Sequence, residues 1–141
     1  FGKVNTQTIM QALPDVAKVQ GELSALQKQK ENDLKSMQDE LQRKADEYQK
    51  GASTMNATAK QQKETELQSL QQKFQQALQD AQQEMQKKQS ELMQPVYAKV
   101  TAAIEAVGKA GNYTFIFEDG AAAYTGTNVV DVTKEVQAKI K

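Results

Sequence analysis

Residues 51–59, GASTMNATA, divide the chain and decide how the rest of it is read. Gly51, Ser53, Thr54, Asn56 and Thr58 are small or polar, the residue types that compete with helical hydrogen bonding and favour turns. On either side lie long runs of Gln, Lys, Glu, Ala and Leu, all tolerable or good helix formers, and from residue 15 to 110 the only proline is Pro95. The composition therefore predicts two long helices folded back on each other as an antiparallel coiled-coil hairpin, with its tip near 51–59.

The apolar spacing agrees. On the first arm Leu23, Leu26, Leu34, Met37, Leu41, Ala45, Tyr48 and Ala52 follow steps of three and four, interrupted once by Lys30. Eleven-residue steps recur, from Leu26 to Met37 to Tyr48 on the first arm and from Phe74 to Met85 to Val96 on the second. That period is about 3.67 residues per turn, which predicts nearly straight or weakly right-handed arms instead of a leucine-zipper supercoil. Residues facing each other across a hairpin are equidistant from its centre. Leu41 with Leu70, Met37 with Phe74, Leu26 with Met85, Val19 with Leu92, and Leu34 with Leu78 all mirror about residue 55 or 56. A register shifted by eleven residues would match equally well, so the turn signal is what fixes the register. At about 1.5 Å per residue, an arm of some 40 residues spans roughly 60 Å.

Further outward, residues 112–118, NYTFIFE, put Tyr113, Phe115 and Phe117 on one face and Thr114, Ile116 and Glu118 on the other, the alternation of a strand. Gly108 and Gly111 are placed to end the preceding helix. Weaker strands are predicted at Gly2–Asn5, Ala122–Tyr124 and Asn128–Val130, and short helices at Thr6–Ala12 and after a cap at Asp131 or Thr133, where Val136 and Ile140 share a face. Pro14 suits the first turn of the long arm. The fold class is α+β: residues 1–14 and 108–141 form a small β-containing body, and 15–107 form the helical arm. So few strands predict a body that oligomerises, although the residues alone fix no subunit number. Pro95, expected near the junction, predicts a bend that is either a hinge or static.

Charge narrows the function. Eighteen basic and eighteen acidic residues cancel overall, and they also cancel within residues 1–57, 58–94 and 95–141. No basic patch exists for nucleic acid, and nothing in the charge favours a membrane surface. Without Cys or His, thiolate chemistry, disulfides and the commonest metal ligand are absent, and no apolar run is long enough to span a bilayer. A chain opening at Phe1 is compatible equally with a removed signal peptide and with a trimmed chain. The adjacent pairs Asp39–Glu40 and Asp46–Glu47 point about 100° apart on a helix, so neither forms a shared acid/base site. Glu118–Asp119 reads as turn chemistry. With no Gly-rich phosphate loop, nucleophile elbow or ligand cluster, the expectation is a protein that is not an enzyme and holds no cofactor or metal.

The remaining candidates are contact residues. Met37, Tyr48, Phe74 and Met85 fit the seam between the arms. Met55 at the tip, and Met93 and Tyr97 off the mirror-matched pairs, are candidates for adaptable apolar contacts with a partner. The second arm carries 13 Gln among residues 61–94, an uncharged surface with hydrogen bonds of both senses, or simply an exposed helix face.

From Val107 to Thr133, the Phe-rich strand, the Ala123–Tyr124 pair and Asp131–Val132–Thr133 before a short Val/Ile/Lys helix resemble, in order and spacing, the Skp (OmpH-like) family of periplasmic chaperones. Val4–Asn5, followed by a short helix with Ile9 and Met10, looks like that family's opening. The arms are similar in architecture only. The resemblance implies a homotrimer whose strands join into a shared β-barrel, with Val4, Tyr113, Phe115, Ile116, Phe117 and Tyr124 building the trimer body. It further implies that three arms enclose a cavity in which unfolded outer-membrane proteins are held without ATP in the periplasm. The family's best-known members are strongly basic, whereas this chain is neutral, so holding here is expected to rest on shape, apolar contact and many weak bonds. Prefoldin also carries helical tentacles, but with its β segment between the long helices; here the strands flank the hairpin. The alternative reading is a coiled-coil adaptor or structural spacer that binds one defined partner.

Overall fold

A computed structural model describes residues 1–140. In chain order it contains β1 (Gly2–Val4), α1 (Thr6–Ala12), α2 (Pro14–Gly51), a 3-10 turn (Ala52–Thr54), α3 (Ala57–Ala110), β2 (Ile116–Glu118), β3 (Val130–Asp131) and α4 (Thr133–Lys139). Its contacts define two units, a body of Phe1–Gly21 with Gln89–Lys141 and an arm of Glu22–Lys88.

The body is organised by its first strand. β1 lies between β2 and β3 and pairs with both in parallel, Gly2 opposite Ile116 and Val130, Lys3 opposite Phe117 and Asp131. On its inner side Val4 joins Ile9 of α1, Val100, Ala103 and Val107 of α3, and Val132 and Val136 in one buried cluster. Three polar joins knit the strand ends to the helices. The Asn5 carboxamide caps α1 by accepting from Thr8 N–H, and the Glu118 carboxylate accepts from Thr6 N–H at 2.9 Å. Asn5 N–H donates to the Thr133 hydroxyl, which donates in turn to Asp131 at 2.6 Å. Asp131 therefore braces the start of α4, as its sequence position suggested, although the residue at the N-cap position is Val132.

Several expected strands are shorter or absent. NYTFIFE is extended only over Ile116–Glu118, because Asn112 takes a left-handed conformation (φ 56°) and turns the chain before the strand begins. The predicted face of Tyr113, Phe115 and Phe117 is thereby broken. Tyr113 folds back beside Gly111 and Gly2, so closely that a Cβ at either glycine would crowd its ring, and it packs on the core together with Ile116. Ala122–Tyr124 forms no strand, and the third strand is Val130–Asp131 instead of Asn128–Val130. Pro95 lies inside α3 and does not end it.

In the arm the tip falls where the sequence placed it. The Thr54 hydroxyl donates to Gly51 C=O, and Asn56 caps α3 by accepting from Ala59 N–H at 2.8 Å. Cross-arm bonds fix the register: Lys30 to Glu84 at 2.5 Å, Lys44 to Glu66, and the Tyr48 hydroxyl to Glu64 at 2.6 Å. These pairs centre on residues 55 to 57, so the eleven-residue alternative is not the one adopted.

Candidate interaction surfaces

The sheet of the body is covered on one face only. A parallel sheet ordinarily has both faces buried, because its strands carry apolar groups on both sides. Here the second face presents Phe1, Lys3, Phe115 and Phe117, the two paired strands bringing like-facing residues side by side. Phe1 and Phe115 lie 5.8 Å apart in tilted contact, and Phe115 stacks on Phe117 at 5.6 Å. Phe115 is nevertheless 54% exposed, and Tyr124 is 84% exposed. Both outer strands, β2 and β3, end the sheet with unpaired edges.

The six residues assigned to the body thus separate into two groups. Val4, Tyr113 and Ile116 belong to the interior of the single chain, while Phe115, Phe117 and Tyr124 face outward. Sequence reading missed Phe1 and the exposed Val130. The signal for Phe1 was present: in FGKVN the buried Gly2 and Val4 alternate with Phe1 and Lys3, so Phe1 shares the outward face.

The three proposed contact residues do not form one patch. Tyr97 is exposed and Met93 half-buried, both on α3 in the body. Met55 is half-buried at the arm tip, its methyl group lying against Gly51, where an added Cβ would sit 2.9 Å away. It also lines a hollow of about 480 Å³ with Lys44, Tyr48, Lys63, Glu66 and Leu67.

The carboxylates of Asp15, Asp46, Glu47 and Glu66 are occupied structurally. Glu47 pairs with Arg43, and Asp46 accepts from Gln42 on its own helix. The Lys99 ammonium, 2.6 Å from Asp15, holds that carboxyl below its ordinary range, and Lys44 does the same to Glu66. Conversely, Glu84 raises Lys30 and Glu66 raises Lys44. Glu64, accepting the phenol proton of Tyr48, raises that group as well. Among the described residues no three His, Cys, Asp or Glu side chains come together as metal ligands, and no helix is long and apolar enough to cross a membrane.

Comparison with known proteins places this arrangement. The family described as outer membrane protein (OmpH-like) matches residues 1–140. A crystal structure from Caulobacter crescentus CB15, provisionally described as an outer membrane chaperone (OmpH-like), superposes with a TM-score of 0.85 at 18% identity, covering 99% of this chain and 82% of that one. No curated protein matches the chain.

Proposed function

The chain belongs to the OmpH-like outer membrane protein family, and from that membership we propose that it is an ATP-independent holdase chaperone of the periplasm. It binds unfolded outer-membrane β-barrel proteins and keeps them from aggregating, with neither catalysis nor a cofactor. The observation that carries this reading is in the arm: none of residues 22–88 is buried, yet Leu34, Met37, Leu41, Leu70, Phe74 and Met85 are half-buried along its seam. Such an element offers a long, partly apolar surface without a closed pocket, which suits a client that has no fixed shape.

The body supports an assembly. A one-sided parallel sheet with an aromatic outer face and two open edges is completed by further copies of itself, and we assign Phe1, Phe115, Phe117 and Tyr124 to the contact between copies. Three copies would join their sheets into a common barrel and set three arms around one cavity.

The test is light-scattering mass of the purified chain, alone and after dilution with a urea-unfolded outer-membrane β-barrel protein. A three-subunit mass that becomes a discrete soluble complex is expected. A monomer or dimer that leaves the client to aggregate overturns the holdase reading and favours an adaptor with one defined partner. Removing both arms symmetrically, from Leu26 to Met85, should preserve assembly and abolish holding.

A further inference from the structure

Two hollows run along one side of the arm, between α2 and α3. The first, about 550 Å³, has Leu41, Ala45, Leu67, Phe74 and Leu78 along its base. The more exposed Gln38, Gln42, Gln71 and Gln75 form its rim, and no charged residue lines it. Leu78, 41% exposed, continues into a second hollow of about 630 Å³, where Leu34, Ala81 and Met85 are flanked by Gln27, Gln82 and Gln86. The charged lining residues there are Lys30 and Glu31, which cancel.

Any two helices side by side leave such a groove; the lining decides what fits it. A partner helix could meet the glutamines only with its side chains, since its backbone N–H and C=O groups are bonded within it. An extended chain carries unpaired groups of both kinds at every residue, and a carboxamide both donates and accepts. The spacing also agrees. Gln38 and Gln42, Gln71 and Gln75, and Gln82 and Gln86 are each four residues apart, about 6 Å along a helix, while same-side groups of an extended chain repeat about every 6.6 Å. From Leu67 to Gln86 the groove runs about 28 Å, the length of about eight extended residues, close to the roughly 9–11 of a membrane β-strand.

We infer that this glutamine-edged groove is a seat for an uncharged extended segment of alternating apolar and polar residues. The segment's apolar side chains rest on Leu41, Phe74 and Leu78, and its backbone bonds to the flanking carboxamides. The inference rests on the holdase reading and names the part of the client that is taken. Because the groove's lining carries no net charge and the segment is uncharged, this capture is insensitive to salt, unlike attraction between oppositely charged surfaces.

The probe is a dye-labelled ten-residue peptide of alternating Val and Ser, titrated with the full chain by fluorescence anisotropy at low and high salt. Binding that is equal at both salts is expected. The triple variant Gln38→Ala, Gln71→Ala, Gln75→Ala, all at exposed helical positions that favour Ala, should weaken it by about tenfold or more, the loss of several hydrogen bonds. Methylating alternate backbone nitrogens of the peptide should do the same. Undiminished binding in either case, or binding lost at high salt, overturns the groove assignment. A changed mass of the unliganded triple variant in light scattering also overturns it, since the groove would then hold a second copy. Aggregation suppression of an unfolded β-barrel protein separates the two levels: failure of the parent chain refutes the holdase reading, whereas equal success of parent and triple variant refutes only the groove.

Discussion

The body and the arm are built from the same two long helices, yet they are held together by different physics. In the body, four elements and the residue before the last helix, contributed by both ends of the chain, bury Val4, Ile9, Val100, Ala103, Val107, Val132 and Val136 in one cluster. In the arm, residues 22–88 include no buried side chain at all. The body is therefore a small but complete core, stabilised by removing apolar surface from water. The arm depends on local helix propensity, a half-buried seam and polar pairs across it. A region with its apolar surface only half satisfied can take on a partner without first being unfolded; a closed core cannot.

That contrast can be broken or sharpened by experiment. The largest effect should come from Phe115→Asp. Phe115 is exposed on the outer sheet face, so the single-chain core should survive while assembly through that face is lost, and a light-scattering mass unchanged by the substitution would remove the proposed contact. Next, Ile9→Ala should lower the unfolding free energy by about 2–5 kcal/mol, because it opens a cavity in the fully buried centre. Leu34→Ala on the half-exposed seam should cost about 1–2 kcal/mol in the same urea titration. Equal losses would contradict the division into a closed core and an open seam.

Acid and alkali should separate the regions more gently. Glu66 is held below its ordinary value of 4.5 by Lys44, so the stability it contributes is present above that value and is lost as pH falls through the lower folded-state value. Lys30 and Lys44 are raised above 10.5 by Glu84 and Glu66, so their contribution is present below 10.5 and is lost as pH rises through the raised values. Among the described residues the buried core contains none that is polar or charged, and the body's lowered carboxyls, Asp15 beside Lys99 and Asp131 beside Thr133, lie outside that core. Far-ultraviolet circular dichroism should therefore show arm helicity flat between these limits and falling outside them, with the acid response reduced in Lys44→Met. A body signal from Tyr113 that falls first on acidification would reverse the comparison. The smallest effect is a gain. Gly21 lies exposed within α2, with open space where a Cβ would stand, so Gly21→Ala should stabilise by about 0.5–1 kcal/mol, read from the thermal midpoint.

The arm was almost wholly legible from the residues, and the body only in part. The hairpin, its tip and its register follow from the turn residues Gly51 to Asn56 and from mirror-matched apolar positions, all of which act over short spans or within one repeated period. The body's elements were recognised, but its faces were not. Period-two reading of NYTFIFE grouped Tyr113 with Phe115 and Phe117 because it assumed a strand from residue 112 onward. Phe1 escaped notice because a terminal residue adds only one step to an alternation. The glutamines were counted as a surface, while the groove they edge depends on which residues of α2 stand opposite them.

The sequence by itself determined two long helices, their antiparallel return near residue 55, and the net neutrality of the arm, because helix propensity, apolar period and turn chemistry are set by neighbours a few residues apart. Only the tertiary structure decided that Gly2–Val4 lies centrally between strands from the far end of the chain, and that Tyr113 and Ile116 turn inward while Phe115 and Phe117 turn out. The physical reason is that a strand's inner face is fixed by its pairing partners and by the turn that feeds it. Here the partners lie more than a hundred residues away, and the turn rests on one left-handed residue, Asn112.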